Sequence, residues 1–240
     1  MSGITAQPVS RRDRPAKPPL SREAIVRAAV GLVRSEGLER LTMRRLAAAL
    51  DTGAGSLYVY FRNVEHLYAA LLDELLGDVD LSPGDPDEPW EDRLAAVLGS
   101  YLRVLFDNPS IARMSIFTRS SGPNSLRLMD TLLSLLTQGG VEPGAAAWGV
   151  DLLLQYATAS AAEHGTRDQQ PDTADAESDM AMALGSVAAD THPRLHQLSG
   201  VLVAGEPAER FRWGIDVLLA GIGDRRNAAV PRAYEPDGLA

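Results

Sequence analysis

The sequence predicts an all-α protein, a small head of short N-terminal helices joined to a larger helical body. Three observations carry that prediction. Apolar residues recur at helical spacing through most of the 240 residues. No segment sustains the two-residue alternation of a half-buried strand. Pro89, Pro109, Pro143 and Pro207 stand near the starts of periodic runs, where a missing amide costs little.

Residues 1–20 read as a disordered arm, with four prolines, three arginines and one lysine but few large apolar groups. The first helix is expected over about 21–36. Ser21 caps it, Ile25, Ala28, Ala29, Leu32 and Val33 share one face, and Gly37 supplies a left-handed stop. Thr42 caps a second helix that runs to about Leu50 and buries Leu46, Ala47 and Leu50. Asp51-Thr52-Gly53 is a short turn, and a third helix covers about 54–60. A fourth begins near Val64, carries Leu67, Leu71, Leu72, Leu75 and Leu76 on one face, and ends near Asp78. Turn-formers and acids at 80–89 make a loop between head and body. Seven further helices are expected at about 90–107, 109–120, 124–138, 143–165, 175–189, 194–203 and 206–223.

Composition narrows the class. No apolar run approaches the roughly 18 residues that span a membrane, and the N-terminus has no secretory-type apolar stretch. With no cysteine there is no disulfide framework and no thiolate metal site, so a cytoplasmic location is expected. The net charge of −9 argues at first against nucleic acid. Its distribution argues for it: residues 1–68 carry 11 Arg or Lys against 6 Asp or Glu, and the rest carry 12 against 26. A basic head on an acidic body approaches phosphate head-first.

The run Leu41 to Arg62 has helix-turn-helix spacing. Two short helices joined by about three residues cross steeply, and Ala47 is small enough to allow the crossing. Leu46, Leu50, Leu57 and Phe61 close a small core against the first helix, which leaves the third free to enter a major groove. Over about 21–68 the sequence resembles the TetR family of repressors. The resemblance rests on Glu36-Gly37-Leu38, on Leu41-Thr42-Met43-Arg44, on Leu46-Ala47 and above all on the run Leu57-Tyr58-Val59-Tyr60-Phe61-Arg62-Asn63. Neither amphipathicity nor helix spacing demands those aromatics.

The resemblance implies that Thr42 and Arg44 meet phosphates, with Arg44 also within reach of a base edge. It places Gly53, Ala54, Gly55 and Ser56 at the start of the recognition helix. Tyr58 and Tyr60 would offer hydroxyls to phosphates, Val59 would touch a thymine methyl, and Arg62 would contact phosphate. Two positions depart from the family pattern. Asp51 replaces a usual turn glycine, which a residue tolerant of left-handed backbone permits. Val64 replaces a usual phosphate-binding lysine, leaving His66 or Arg11, Arg12 and Arg14 of the arm to compensate. The Gly-Ala-Gly tip makes few hydrogen bonds to bases, so specificity is expected to lean on Arg44, Ser56, the tyrosines and DNA shape.

The C-terminal half carries a weaker likeness to the tetracycline-repressor-like subgroup, in His192-Pro193-Arg194-Leu195 and in Glu209 to Gly221. That likeness implies a body over 69–225 that dimerises and binds a ligand, followed by a tail at 226–240. The long helix, with Trp148, Leu152, Gln155, Tyr156 and Ala159 on one side, and the last helix, with Phe211, Ile215, Leu218 and Leu219, would form a four-helix bundle with their mates. Gly214, Ala220 and Gly221 would permit the close approach. Candidate pocket residues are Tyr101, Phe106, Met114, Phe117, Met129, Trp148 and Tyr156, with Gln155 or His164 as polar anchors; Met and aromatic residues at such spacing also serve as ordinary core.

No catalytic arrangement is evident. Gly53-Ala54-Gly55 is a fragment of a dinucleotide loop within the helix-turn-helix. His192 and His196 have zinc-like spacing but enclose Pro193 and lack a third ligand. The expected protein is therefore a homodimeric repressor on a palindromic operator in double-stranded DNA, released by an unknown small molecule, with no cofactor, metal or membrane. A helical regulator answering to a protein partner, without a small-molecule pocket, is the alternative. A helical enzyme of undefined chemistry is a third reading. A cavity of several hundred cubic ångströms in the body would favour the first.

Overall fold

The computed structural model describes residues 19–82, 84–167 and 173–224. Most of the arm and the tail lie outside them. Among the described residues the secondary structure is helical throughout, with no strand. The head comprises α1 (Arg22–Glu36), a 3-10 turn (Leu38–Arg40), α2 (Met43–Ala49), α3 (Ala54–Tyr58) and the start of α4 (Val64–Leu76). The body comprises α5 (Trp90–Phe106), α6 (Pro109–Ser115), α7 (Pro123–Gln138), α8 (Pro143–Arg167), α9 (Thr173–Gly185), α10 (Pro193–Val203) and α11 (Pro207–Ile222).

Local chemistry sets the boundaries in the head. Ser21 Oγ accepts from the Ala24 amide and Thr42 Oγ1 from the Arg45 amide, each satisfying a donor that the helix start leaves free. Asn63 Oδ1 does the same for the His66 amide and opens α4. Gly37 turns the chain at φ +88°, and Asp51 sits at φ +50° in the turn between α2 and α3. The 3-10 turn was not expected. Val26 is buried on α1 beside Ile25, Ala29 and Val33, whereas Ala28 and Leu32 are only half-buried. Leu20 belongs to the head and not to the arm, because it packs on the core and its carbonyl accepts from the Tyr60 hydroxyl at 2.5 Å.

Helix α4 crosses the expected head–body boundary without a break. Leu67 and Leu71 are fully buried, and Leu72, Leu75 and Leu76 nearly so. It packs on α1 of the head and on α5, α6 and α7 of the body. Around α8 the body is assembled from α5, α6, α7 and α11. Helix α6 ends at Ser115 and not near 120, because Ser120-Ser121-Gly122-Pro123 start the next helix instead.

Gly214 serves the chain's own fold, not a mate's approach. A Cβ there would lie 2.0 Å from the Tyr156 hydroxyl oxygen, and Tyr156 stacks on Phe211 with centroids 5.5 Å apart and planes 6° from parallel. Ile215 and Leu219 are likewise buried within the chain. Gly214→Ala should therefore lower stability by about 1–3 kcal/mol through overpacking at the α8–α11 contact. Urea unfolding at fixed protein concentration measures it.

Candidate nucleic-acid interface

Fully buried Leu46, Leu57 and Phe61, nearly buried Ala47 and half-buried Leu50 hold α2 and α3 against α1. Arg22 adds a cation–π contact, its guanidinium carbon 4.6 Å from the Phe61 ring centre, and donates to the Tyr60 carbonyl at 3.3 Å. Arg45 pairs with Glu36 at 2.6 Å, which holds the Glu36 carboxyl below its ordinary range. That acid is thus neutralised, and Arg45 is spoken for.

What remains is an exposed, largely polar face. Thr42, Arg44, Gly53, Gly55, Ser56, Tyr58, Val59 and Arg62 are all exposed, and Ala54 is half-exposed. Val59 is 81% exposed at the end of α3, an apolar side chain without apolar neighbours to cover it. The Arg44 side chain has no hydrogen-bond or ion-pair partner among the described residues. The Thr42 hydroxyl accepts from Arg45 and keeps its own proton to donate. Tyr60 departs from the expectation. It is half-buried and its single hydroxyl proton goes to Leu20, so the ring ties the chain's entrance to the head. The sequence offered no signal to separate it from exposed Tyr58. His66 is exposed at the start of α4, while Arg11, Arg12 and Arg14 lie outside the described residues.

The nine residues singled out in the body do not form one site. Phe106, Tyr156 and His164 line a groove of about 480 Å³ where α5, α8 and α11 meet, with Leu102, Ser160 and Phe211. Trp148 and Gln155 line a separate groove of about 810 Å³ on the outer face of α8 and α11, with Leu152, Val217, Leu218 and Gly221. Tyr101 is core: its hydroxyl shares a 2.7 Å hydrogen bond with Thr158, and burial pushes its pKa up. Met114 is half-buried against the core and Met129 is exposed on α7. Phe117 is 90% exposed, since the helix that would have turned it inward has already ended. His192 precedes α10 and His196 faces the Val187 carbonyl, and no group of three potential metal ligands occurs among the described residues.

A helix-turn-helix with an uncovered recognition helix, carried on a larger helical body, defines a DNA-binding transcriptional regulator. Comparison with known proteins sharpens that class. The pattern of the bacterial regulatory proteins of the tetR family matches residues 25–71, and that of the tetracyclin repressor-like C-terminal domain matches 82–226. The class C tetracycline repressor protein of Escherichia coli is 30% identical over 205 residues, 85% of this chain and 90% of that protein. A Streptomyces coelicolor protein described as a transcription regulator is 48% identical, with a TM-score of 0.71 over 86% of this chain and 96% of its own. Apo ActR from Streptomyces coelicolor is 31% identical, with a TM-score of 0.78 over 89% of this chain and 98% of its own; ActR has also been solved with actinorhodin. The chain belongs to the TetR family. It is a transcriptional regulator and not an enzyme. No helix of the described residues is long and apolar enough to cross a membrane.

Because the Tyr60 hydroxyl serves Leu20, Tyr60→Phe should cost about 0.5–1.5 kcal/mol of stability. It should leave the slope of log affinity against log salt unchanged, as measured by DNA titration over a salt series.

Proposed function

We propose that this protein is a repressor that binds an inverted-repeat operator as a homodimer and lets go when a small molecule occupies its body. The observation that carries the reading is the uncovered face from Thr42 to Arg62, with Arg44 unpaired among the described residues and Val59 bare. Thr42, Arg44, Tyr58 and Arg62 position the head on phosphates, Arg44 and Ser56 reach base edges, and Val59 meets a thymine methyl. Gly53, Ala54 and Gly55 let the backbone come close without adding side-chain hydrogen bonds.

Two-fold symmetry in the protein suits a palindromic site. The groove on α8 and α11 supports pairing there, because Trp148 (60% exposed), Leu152, Val217 and Leu218 form an apolar face that a second copy would cover. The groove between α5, α8 and α11 falls in the size range of small-molecule sites and gathers aromatic and polar groups. A tetracycline repressor and actinorhodin-bound ActR among the relatives point to polycyclic aromatic effectors. Such an effector shifts the population toward a head spacing that no longer matches successive major grooves.

The test is retardation of a duplex from the gene's own upstream region at low salt, then titration with actinorhodin and with tetracycline as probes. Wild-type protein should bind, with affinity falling steeply as salt rises. Arg44→Ala should weaken binding and lower the salt slope by about 1. Failure of the wild type to bind that duplex sinks the reading. Trp148→Asp should give a monomer by light scattering, and that monomer should hold a half-site only weakly.

A further inference from the structure

Where α4 passes into the body, one carboxylate is buried. Asp73, 8% exposed, stands among the leucines of α4, where a charge is costly unless it is fully hydrogen-bonded. Its partners all come from the segment that opens α7. Oδ1 accepts from the Ser125 amide at 2.9 Å and the Ser120 hydroxyl at 3.0 Å, and Oδ2 faces the Asn124 amide at 3.4 Å. The Asp73 backbone carbonyl accepts from Asn124 Nδ2 at 2.8 Å. A carboxylate from one helix thus caps the N-terminus of another, where amides are free and the dipole favours negative charge. Gly122 makes room for it, since a Cβ there would lie 2.2 Å from Asp73 Cγ.

The same segment is tied onward. Arg119 Nη1 donates to Asp151 Oδ1 of α8 at 2.6 Å, and Gln155 donates to Asp151 Oδ2. Asp151 and Gln155 both line the outer groove of α8 and α11. A polar path therefore runs from the helix that carries the head to the face proposed for pairing.

We propose that Asp73 is a positioning residue for operator binding: it clamps α4 to the start of α7, and the 119–125 segment braces that clamp against α8. This rests on the reading of the chain as an operator-binding dimer. A rigid brace keeps both heads at one spacing, and linkage requires that DNA binding act back on the clamp.

The experiment uses full-length wild type, Asp73→Asn and Arg119→Ala with the same upstream duplex. Duplex affinity is read by fluorescence anisotropy, and amide hydrogen exchange of peptides covering 119–126 is read with and without duplex. Asn keeps the shape of Asp73 but replaces one acceptor with a donor, which faces helix amides it cannot bond. In the wild type the duplex should slow exchange at 122–126 at least threefold. Asp73→Asn should lose that slowing and bind the duplex at least fivefold more weakly. Arg119→Ala removes an exposed side chain that lies outside the head and should weaken binding at least threefold with the fold intact.

A core variant such as Leu132→Ala supplies the comparison for stability alone. It should lower Tm and retain both affinity and the exchange response. If it reproduces the Asp73→Asn behaviour, the effect is general destabilisation and the proposal is overturned. Wild-type affinity and an unchanged exchange response in Asp73→Asn overturn it as well. Wild-type protein that ignores the duplex overturns the functional reading together with this one, so the two failures are distinguishable.

Discussion

Helix α4 is the constraint on which the rest of the molecule depends. Its leucines are buried at both ends, Leu67 among the head helices and Leu71, Leu72, Leu75 and Leu76 toward the body. A head of three short helices has too little apolar surface to fold securely by itself. By sharing α4 with the body it borrows a larger core, and in doing so gives up independence of orientation. The head and the body are thereby packed through one continuous helix, since α4 lies against α1 on one side and against α5, α6 and α7 on the other.

Each surface of the protein answers a different demand. The head buries Phe61 and Leu57 so that Tyr58 and Val59 can stand outside, which is the reverse of what burial alone would choose for an apolar side chain. The body spends its apolar stripes twice. One side of α11 seats Ile215 and Leu219 within the chain, and Gly214 lets Tyr156 and Phe211 stack. The other side of α8 and α11 leaves Trp148, Leu152 and Val217 uncovered. Acidic residues gather on the body, so the molecule presents its basic end to DNA.

Much of this was legible beforehand. The order and approximate bounds of the helices followed from apolar periodicity, and the caps at Ser21 and Thr42 and the turns at Gly37 and Asp51 followed from side-chain chemistry. Tyr58 and Tyr60 looked alike in sequence, two residues apart, and the structure separated them: one lies outward and the other bonds to Leu20. The body candidates were chosen by residue type. Type cannot tell which side of a helix meets a neighbour, so Tyr101 became core, Phe117 went to solvent, and the rest divided between two grooves or stayed outside both.

The sequence by itself determined the all-helical class, the helix-turn-helix and the family, because these rest on local spacing, capping and a short aromatic run. Only the tertiary structure decided that Asp73, an acid in a leucine-rich helix, is satisfied by amides some fifty residues further on. It also decided that Gly122 and Gly214 are held to glycine by the side chains of Asp73 and Tyr156. Such contacts join residues distant along the chain, and which helix lies against which is settled by packing and not by local preference.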